Sequence, residues 1–414
     1  MTVEIRALTD DDLPQYLRAY RTGFLLSPEL PDEQTLRVRR RQYAGNRLKG
    51  AFDGGRCVAT FRSFPQEVTA VGGAPVPATA VSQVSVTATH RRRGLLSRML
   101  GEELAEARER GDAMASLVAA EYPIYGRFGF GPATRTTDWS VDVARARVDR
   151  RWSGPSGGGT VRLADGAEVR RIGPPLHARF RAAQPGAISR DAFWWELATG
   201  AARVPEHPWR EPCHVVYRDA AGEVQGLATY TTDDTWRHKL PQITLTVRHL
   251  LAATPEAERE LWRYLLSVDW VATVVAENLA PDTLLPHLLG DPRAAHVTAL
   301  ADFLWLRPLD VPRMLRLRRY PTTGTLVLQV HDPAGLAGGR FLLEATPEGA
   351  ACAPTTRDPD LSLDVGELGA LYLGDQSVAR LAALGRVVEE RPGAVALADA
   401  LLHTPRSPWC PDVF

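Results

Sequence analysis

Between Val84 and Leu96 a run of β-branched residues gives way to Arg91-Arg92-Arg93-Gly94, and an amphipathic segment begins at once. The chemistry open to these residue types is anion binding. A glycine-containing turn from strand to helix leaves the first N–H groups of the helix unpaired, at the positive end of its dipole, which suits a diphosphate. Arginines on the same turn add charge-assisted contacts to phosphate oxygens. A basic loop with no ligand is the other reading of an isolated Arg-x-x-Gly. Groups able to move protons lie farther on: the phenols of Tyr122 and Tyr125, and the main-chain carboxylate of Phe414, the last residue of the sequence. Chain ends generally fray, but an apolar terminal side chain favours burial.

The elements that must position these groups follow from periodicity. Leu95, Leu96, Met99, Leu100, Leu104 and Ala107 recur at helical spacing, so one face of that helix packs on a sheet. Gly111 is its expected C-cap. Ala113 to Ala119 reads as a buried strand, and Glu121-Tyr122-Pro123-Ile124-Tyr125-Gly126-Arg127-Phe128-Gly129-Phe130-Gly131-Pro132 follows it. Upstream, Thr2 to Arg6 alternates as a first strand, and Asp10, Asp11 and Asp12 supply N-cap chemistry for a helix through Leu17. Ala51 to Thr60 is a hairpin about an Asp-Gly-Gly turn. Pro28 to Gln34 is a loop or helix start that could rim a site.

Strand, Arg-x-x-Gly turn, helix, strand, then Tyr-x-x-x-Gly-Phe is similar to the acetyl-CoA-binding core of GNAT N-acetyltransferases. That superfamily usually places Gly or Ala where Leu96 stands here. Arg-Arg-Arg-Gly-Leu-Leu, followed by Ile-Tyr-Gly-Arg-Phe-Gly-Phe-Gly-Pro-Ala, resembles the enhanced intracellular survival (Eis) branch, over essentially the whole chain. The resemblance implies an α/β (α+β) architecture of tandem GNAT-like domains and a C-terminal domain like sterol carrier proteins. The expected bounds are 1–140 for the acetyl-CoA-binding domain, 141–305 for a degenerate second copy, and 306–414 for the last.

The resemblance also implies the chemistry: an amine attacks the thioester of acetyl-CoA directly in a ternary complex. That reaction needs a neutral amine, a polarised carbonyl, a proton for the departing thiolate and held geometry. Pantetheine would lie along Val84, Ser85 and Val86, with an N–H near Val86 as oxyanion donor. Analogy assigns the diphosphate to Arg92, Arg93, Gly94, Leu95, Leu96 and Ser97, with further contacts at Ala120 and Glu121. Tyr125 is the candidate general acid, since a phenol near pKa 10 stays protonated at neutral pH; packing between helix and sheet is its alternative, and Tyr122 is the nearest decoy. The Eis family uses its terminal carboxylate as general base, which points to Phe414. The acceptor it implies is a primary amine of a polycationic small molecule such as an aminoglycoside, in a homohexamer (a dimer of trimers). A protein lysine, a polyamine, a natural-product amine, or CoA or lipid binding without turnover are the rivals.

Lys+Arg and Asp+Glu balance at 49 each in 414 residues, so no net charge draws the chain to nucleic acid or an anionic membrane. Arg37, Arg39, Arg40 and Arg41 read as a solvated helix face, with no interleaved aromatics for base stacking. Cys57, Cys213, Cys352 and Cys410 are widely spaced and the ten histidines are scattered, so reduced, mostly buried thiols and no metal are expected. No signal-peptide core or membrane-length apolar run is present, and a cytoplasmic setting is expected. Ser153 to Gly159 reads as a surface loop. Beyond it, strands at His214 to Tyr217, Gln225 to Thr231 and Gln242 to Leu250, a helix at Glu256 to Val268 and a strand at Val271 to Ala276 repeat the GNAT-like order. Ala253-Thr254-Pro255 replaces the Arg-x-x-Gly turn there, so this copy is expected to serve as scaffold. Trp194-Trp195 reads as core packing or a substrate platform. Strands at Leu326 to Val330, Arg340 to Glu344 and Leu361 to Val365, with helices to Leu373 and Leu384, build the last domain. Glu29, Asp32, Glu33, Glu196 and Asp412 are candidate acidic wall residues for a cationic acceptor.

Overall fold

The structure is a computed structural model that describes residues 3–152, 157–204 and 209–414. Thr2 of the expected first strand and residues 153–156 of the glycine-rich loop lie outside the described residues. The chain forms three main sheets of seven, seven and five strands.

The first sheet contains β1 (Glu4–Ala7), β2 (Arg47–Asp53), β3 (Arg56–Thr69), β4 (Pro75–Val86) and β5 (Met114–Val118) in that spatial order. Leu304–Pro308 then pairs with β5, and Gly131–Pro132 closes the far edge. The hairpin between β2 and β3 turns through Gly54 and Gly55, both at positive φ, as the Asp-Gly-Gly motif requires. Helix α1 (Leu13–Gly23) lies across β3 and β4 on one face, and α2 (Glu33–Gln42) follows it. The other face is covered by α3 (Leu95–Glu109), whose Leu95, Met99, Leu100, Leu104 and Ala107 are buried as their spacing required. Asp12 does not cap α1 with its side chain: it is drawn into a bidentate pair with Arg6, at 2.6 and 2.8 Å, and accepts from Thr9. That pairing holds its carboxyl far below the usual carboxylate range.

Arg135–Asp142 crosses into the second sheet, which also holds Thr160–Ala164, Cys213–Arg218, Val224–Thr232, Ile243–Ala252, Val271–Leu279 and Ala295–Asp302. Pro255–Leu265 is the helix connecting its two parallel strands. Gly166–Ala183 is a helix that continues through Pro174 and Pro175, with Val169, Ile172, Leu176 and Phe180 buried beneath it. The third sheet, built on Gly324–His331 and Gly339–Thr346, carries Val365–Leu371, Val378–Ala383 and Ala394–Leu402. Cys57, Cys352 and Cys410 are buried, Cys213 is exposed at a strand start, and all four thiols are free, in line with mostly buried thiols. No helix among the described residues is long and apolar enough to cross a membrane.

Candidate active site

Strands β4 and β5 run parallel but pair only from Ala78/Met114 to Ala80/Ser116. Past these residues they part, leaving the β5-facing edge of β4 from Val81 to Val86 without a strand partner. A parted parallel pair is an opening in the sheet whose walls are unpaired backbone donors and acceptors, able to take an extended ligand by β-type hydrogen bonds. Val84 and Val86 are half-buried on this edge. Ser85 is placed there too, but its hydroxyl lies 2.8 Å from that of Thr60, on the α1 face, and only its backbone remains to face the opening.

The arginine turn stands at the wide end of the opening. Arg91, Arg92, Arg93 and Gly94 are all exposed. Arg92 and Gly94 both adopt left-handed backbone, φ 64° and 74°, which lifts the chain into the first turn of α3. Gly94 is the N-cap; it has no side chain to occupy the first N–H groups, and a Cβ there would meet nothing within 4 Å. Arg91 and Arg93 donate to the carbonyls of Val86 and Thr89, at 3.5 and 3.3 Å. Leu95 is buried, Leu96 is half-buried, and Ser97 is exposed in the same turn. Ala120 and Glu121 are exposed across the opening, just after β5. The result is an open anion-accepting turn with cationic side chains around it.

The two tyrosines separate cleanly. Tyr125 is buried against the α3 side, edge-on to Phe130 with centroids 6.1 Å apart. Burial first, and then the charge of Glu121, push its phenol up to about 12, so it remains a proton donor throughout the neutral range. Its hydroxyl makes no hydrogen bond among the described residues. Tyr122 is 55% exposed and packs edge-on against Trp305.

Phe414 lies on the opposite face. Thr60, Arg62 and Phe64 alternate onto the α1 side of β3, and the register pairs Thr60 with Ser85 but Arg62 with Ser82. One extra residue on β4, with Gln83 at φ 50°, makes this bulge and brings Ser82 and Ser85 to the same face. The Ser82 hydroxyl donates to the main-chain carboxyl oxygen of Phe414 at 2.8 Å, and the Phe414 ring stands edge-on to Phe64. Arg62 lies over the rings of Phe64 and Tyr43, 4.3 and 5.1 Å from their centroids. Tyr125 and Phe414 therefore approach the opening from opposite faces of the sheet, with no hydrogen bond between them among the described residues. Ser82 and the stacked Arg62 have no local sequence signal; only strand register reveals them.

The acidic candidates are largely neutralised. Asp32 caps α2 through the Thr35 N–H, Glu33 pairs with Arg40, Glu196 with Arg41, and Asp412 is buried against Arg190. Glu29 is exposed. Trp195 is buried and Trp194 stacks beneath the Arg190 guanidinium at 3.7 Å, so this pair packs around an ion pair. Beside the site, Gly23 at the end of α1 abuts Ser85, and Phe24, Leu25, Leu26 and Leu30 are exposed on the segment that follows.

Family models match three stretches of the chain. An acetyltransferase (GNAT) domain model matches residues 4–133, a second acetyltransferase (GNAT) domain model matches 186–317, and a sterol carrier protein domain model matches 311–411. The protein is an N-acetyltransferase of the GNAT fold, with a sterol-carrier-type domain at its C-terminal end. An uncharacterized N-acetyltransferase of Streptomyces avermitilis is 57% identical over 413 residues, covering 100% of this chain and 99% of that protein. N-acetyltransferase Eis of Mycobacterium tuberculosis is 33% identical over 402 residues, 94% of this chain and 93% of that one. The crystal structure of Eis1 from Mycobacterium abscessus agrees with a TM-score of 0.84 at 31% identity, over 100% of both chains. The chain belongs to the Eis family of GNAT N-acetyltransferases.

Proposed function

We propose that the protein transfers the acetyl group of acetyl-CoA to a primary amine of a small molecule, by direct attack within a ternary complex. The observation that carries this reading is the parted β4–β5 pair with the exposed Arg91–Gly94 turn at its mouth. Val84, Ser85 and Val86 would hold pantetheine by backbone hydrogen bonds. Arg92, Arg93, Gly94, Leu95, Leu96 and Ser97 would hold the diphosphate, with Ala120 and Glu121 on the far wall. Acetyl-CoA supplies the acyl group and its thiolate leaves. Tyr125, a phenol kept protonated by burial, gives that thiolate its proton. The carboxylate of Phe414, held at Ser82, takes the proton of the attacking amine, directly or through a water. An α-carboxyl near pKa 3.5 is a weak base for this task, so its contribution rests on being held beside the amine.

The same reading takes three units, to about residue 140, to about 305 and to the end, and a cytoplasmic homohexamer acting on a polycation such as an aminoglycoside. Its support is the family to which the chain belongs. A second acceptor class, a natural-product amine with an apolar body, is favoured by a different observation: four of five candidate acidic groups are already paired or capping, while Phe24, Leu25, Leu26 and Leu30 are exposed next to Ser85. Thiol release from acetyl-CoA, followed with an aminoglycoside, a linear polyamine, a lysine peptide and an aromatic monoamine, separates the classes by kcat/KM. Absence of amine-dependent thiol release across the panel, with acetyl-CoA still bound, would favour the rival of binding without turnover.

A further inference from the structure

The second sheet repeats the geometry of the first. Its parallel strands Ile243–Ala252 and Val271–Leu279 pair from Ile243/Val271 to Val247/Ala276 and then part. The space beyond is bordered by His249, Leu251, Asn278, Leu279, Arg190 and Trp409. Here the chain's own terminal segment enters the opening, with Trp409 and Pro411 against it. We propose that the second unit is a clamp that positions the Phe414 carboxylate, with Trp409 seated where the strands part and Arg190 holding Asp412. This rests on the reading of Phe414 as the base.

The anchors are continuous along the tail. The Ser407 N–H donates to Asp282, and the Ser407 carbonyl accepts from the Gln184 side chain at 3.0 Å. The Trp409 N–H donates to the Pro185 carbonyl at 2.8 Å. Its indole donates to the Asn278 carbonyl at 3.0 Å, satisfying a backbone acceptor at the end of a parted strand. Gly186, at φ 86°, lies so close that a Cβ there would stand 3.2 Å from the Trp409 nitrogen. Arg190 Nε donates to both Asp412 oxygens at 3.0 Å and Nη2 stands 2.8 Å from one of them, with both side chains almost fully buried. Among the described residues neither Nη1 nor Nη2 makes a hydrogen bond, and the guanidinium lies on Trp194.

A buried ion pair of this kind adds little stability over apolar packing, because desolvation offsets the attraction. Its use is registration. Two extended residues span at most about 7 Å, so fixing Asp412 confines the carboxylate of Phe414 to the neighbourhood of Ser82. Val413 between them is exposed and adds no anchor.

The test uses the full chain with Trp409→Ala, with Trp409→Phe, and with the double change Arg190→Met and Asp412→Leu, which avoids an unpaired buried charge. Folding is checked by thermal unfolding, and kcat, acetyl-CoA affinity and release of Phe414 by carboxypeptidase A are measured. Trp409→Ala and the double variant are expected to keep acetyl-CoA affinity within about twofold. Their kcat should fall about 10- to 100-fold as the base loses its position, and Phe414 should be released at least about tenfold faster. Trp409→Phe, which fills the opening without the N–H, is expected to recover part of kcat. Unchanged release and unchanged kcat would overturn the clamp and leave the terminal base intact. Faster release with undiminished kcat, measured before trimming, would instead overturn the base and with it the positioning role.

Discussion

The Ser82 hydroxyl and the main-chain carboxyl of Phe414 meet at 2.8 Å across 332 residues of sequence. The contact depends on the bulge at Gln83. Without that extra residue the alternation of β4 would put Ser82 and Ser85 on opposite faces of the sheet. The bulge thus serves both the unpaired edge of β4 and the seat of the last residue.

Amidation of Phe414 by semisynthesis removes the charge while adding almost no bulk. The expected outcome is a fall in kcat of about 10²–10⁴, the range for loss of a general base, with acetyl-CoA affinity and oligomeric state unchanged. A fully active amide would exclude the terminal carboxylate. Asp412 is a poor substitute, since Arg190 already seals it from the opening.

Tyr125→Phe should preserve folding and acetyl-CoA affinity and lower kcat by about 10²–10⁴. Tyr122→Phe should do far less, because that ring is exposed and only packs against Trp305. Steady-state kinetics of the two variants side by side provide the check. Small, equal effects would make Tyr125 a packing residue between α3 and Phe130.

Gly94→Asp would put a carboxylate at the N-cap of α3 and a side chain on left-handed backbone. Acetyl-CoA binding should weaken by at least about tenfold by calorimetry, through repulsion at the diphosphate position and loss of free N–H donors. Arg92→Ala should weaken it less, and the difference from wild type should shrink with added salt. Wild-type affinity in a folded Gly94→Asp protein would remove the turn from the binding site.

His177 should make the protein acid-labile. Burial, followed by the charges of Arg190 and Arg181, lowers its pKa to about 2. Unfolded, it takes a proton near pH 6.5. Between those values the unfolded state binds the extra proton, so stability is present above pH 6.5 and is lost as pH falls below it. At pH 5.5 the loss is about 1.4 kcal/mol. Denaturant unfolding across pH 7.5 to 5 should show at least this slope, and His177→Phe should reduce it, leaving the share of His249, whose pKa burial likewise lowers to about 3. An unchanged slope in that variant would assign the acid sensitivity elsewhere.

The candidate co-substrate site was legible because its determinants are local. A helix face at 3.6-residue spacing, a glycine on left-handed backbone and a cap without a side chain are encoded within about fifteen residues, and α3 forms where Leu95 to Ala107 place it. The hairpin at Gly54-Gly55 is legible for the same reason. The helix through Pro174-Pro175 was not, since local rules stop a helix before proline. There the burial of Val169, Ile172, Leu176 and Phe180 on one face outweighs the missing N–H groups.

By itself the sequence determined the order of elements, the arginine–glycine turn at the start of α3, the two candidate phenols and an apolar last residue, all properties of short segments. Only the tertiary structure decided which phenol is buried, that Glu196 and Asp412 are taken up by ion pairs with Arg41 and Arg190, and where Phe414 rests. The partners of Glu196, Asp412 and Phe414 stand 155, 222 and 332 positions away in sequence. The β4 bulge, the Pro185 carbonyl and the parted strands around Asn278 bring them within hydrogen-bond reach only once the three sheets have packed.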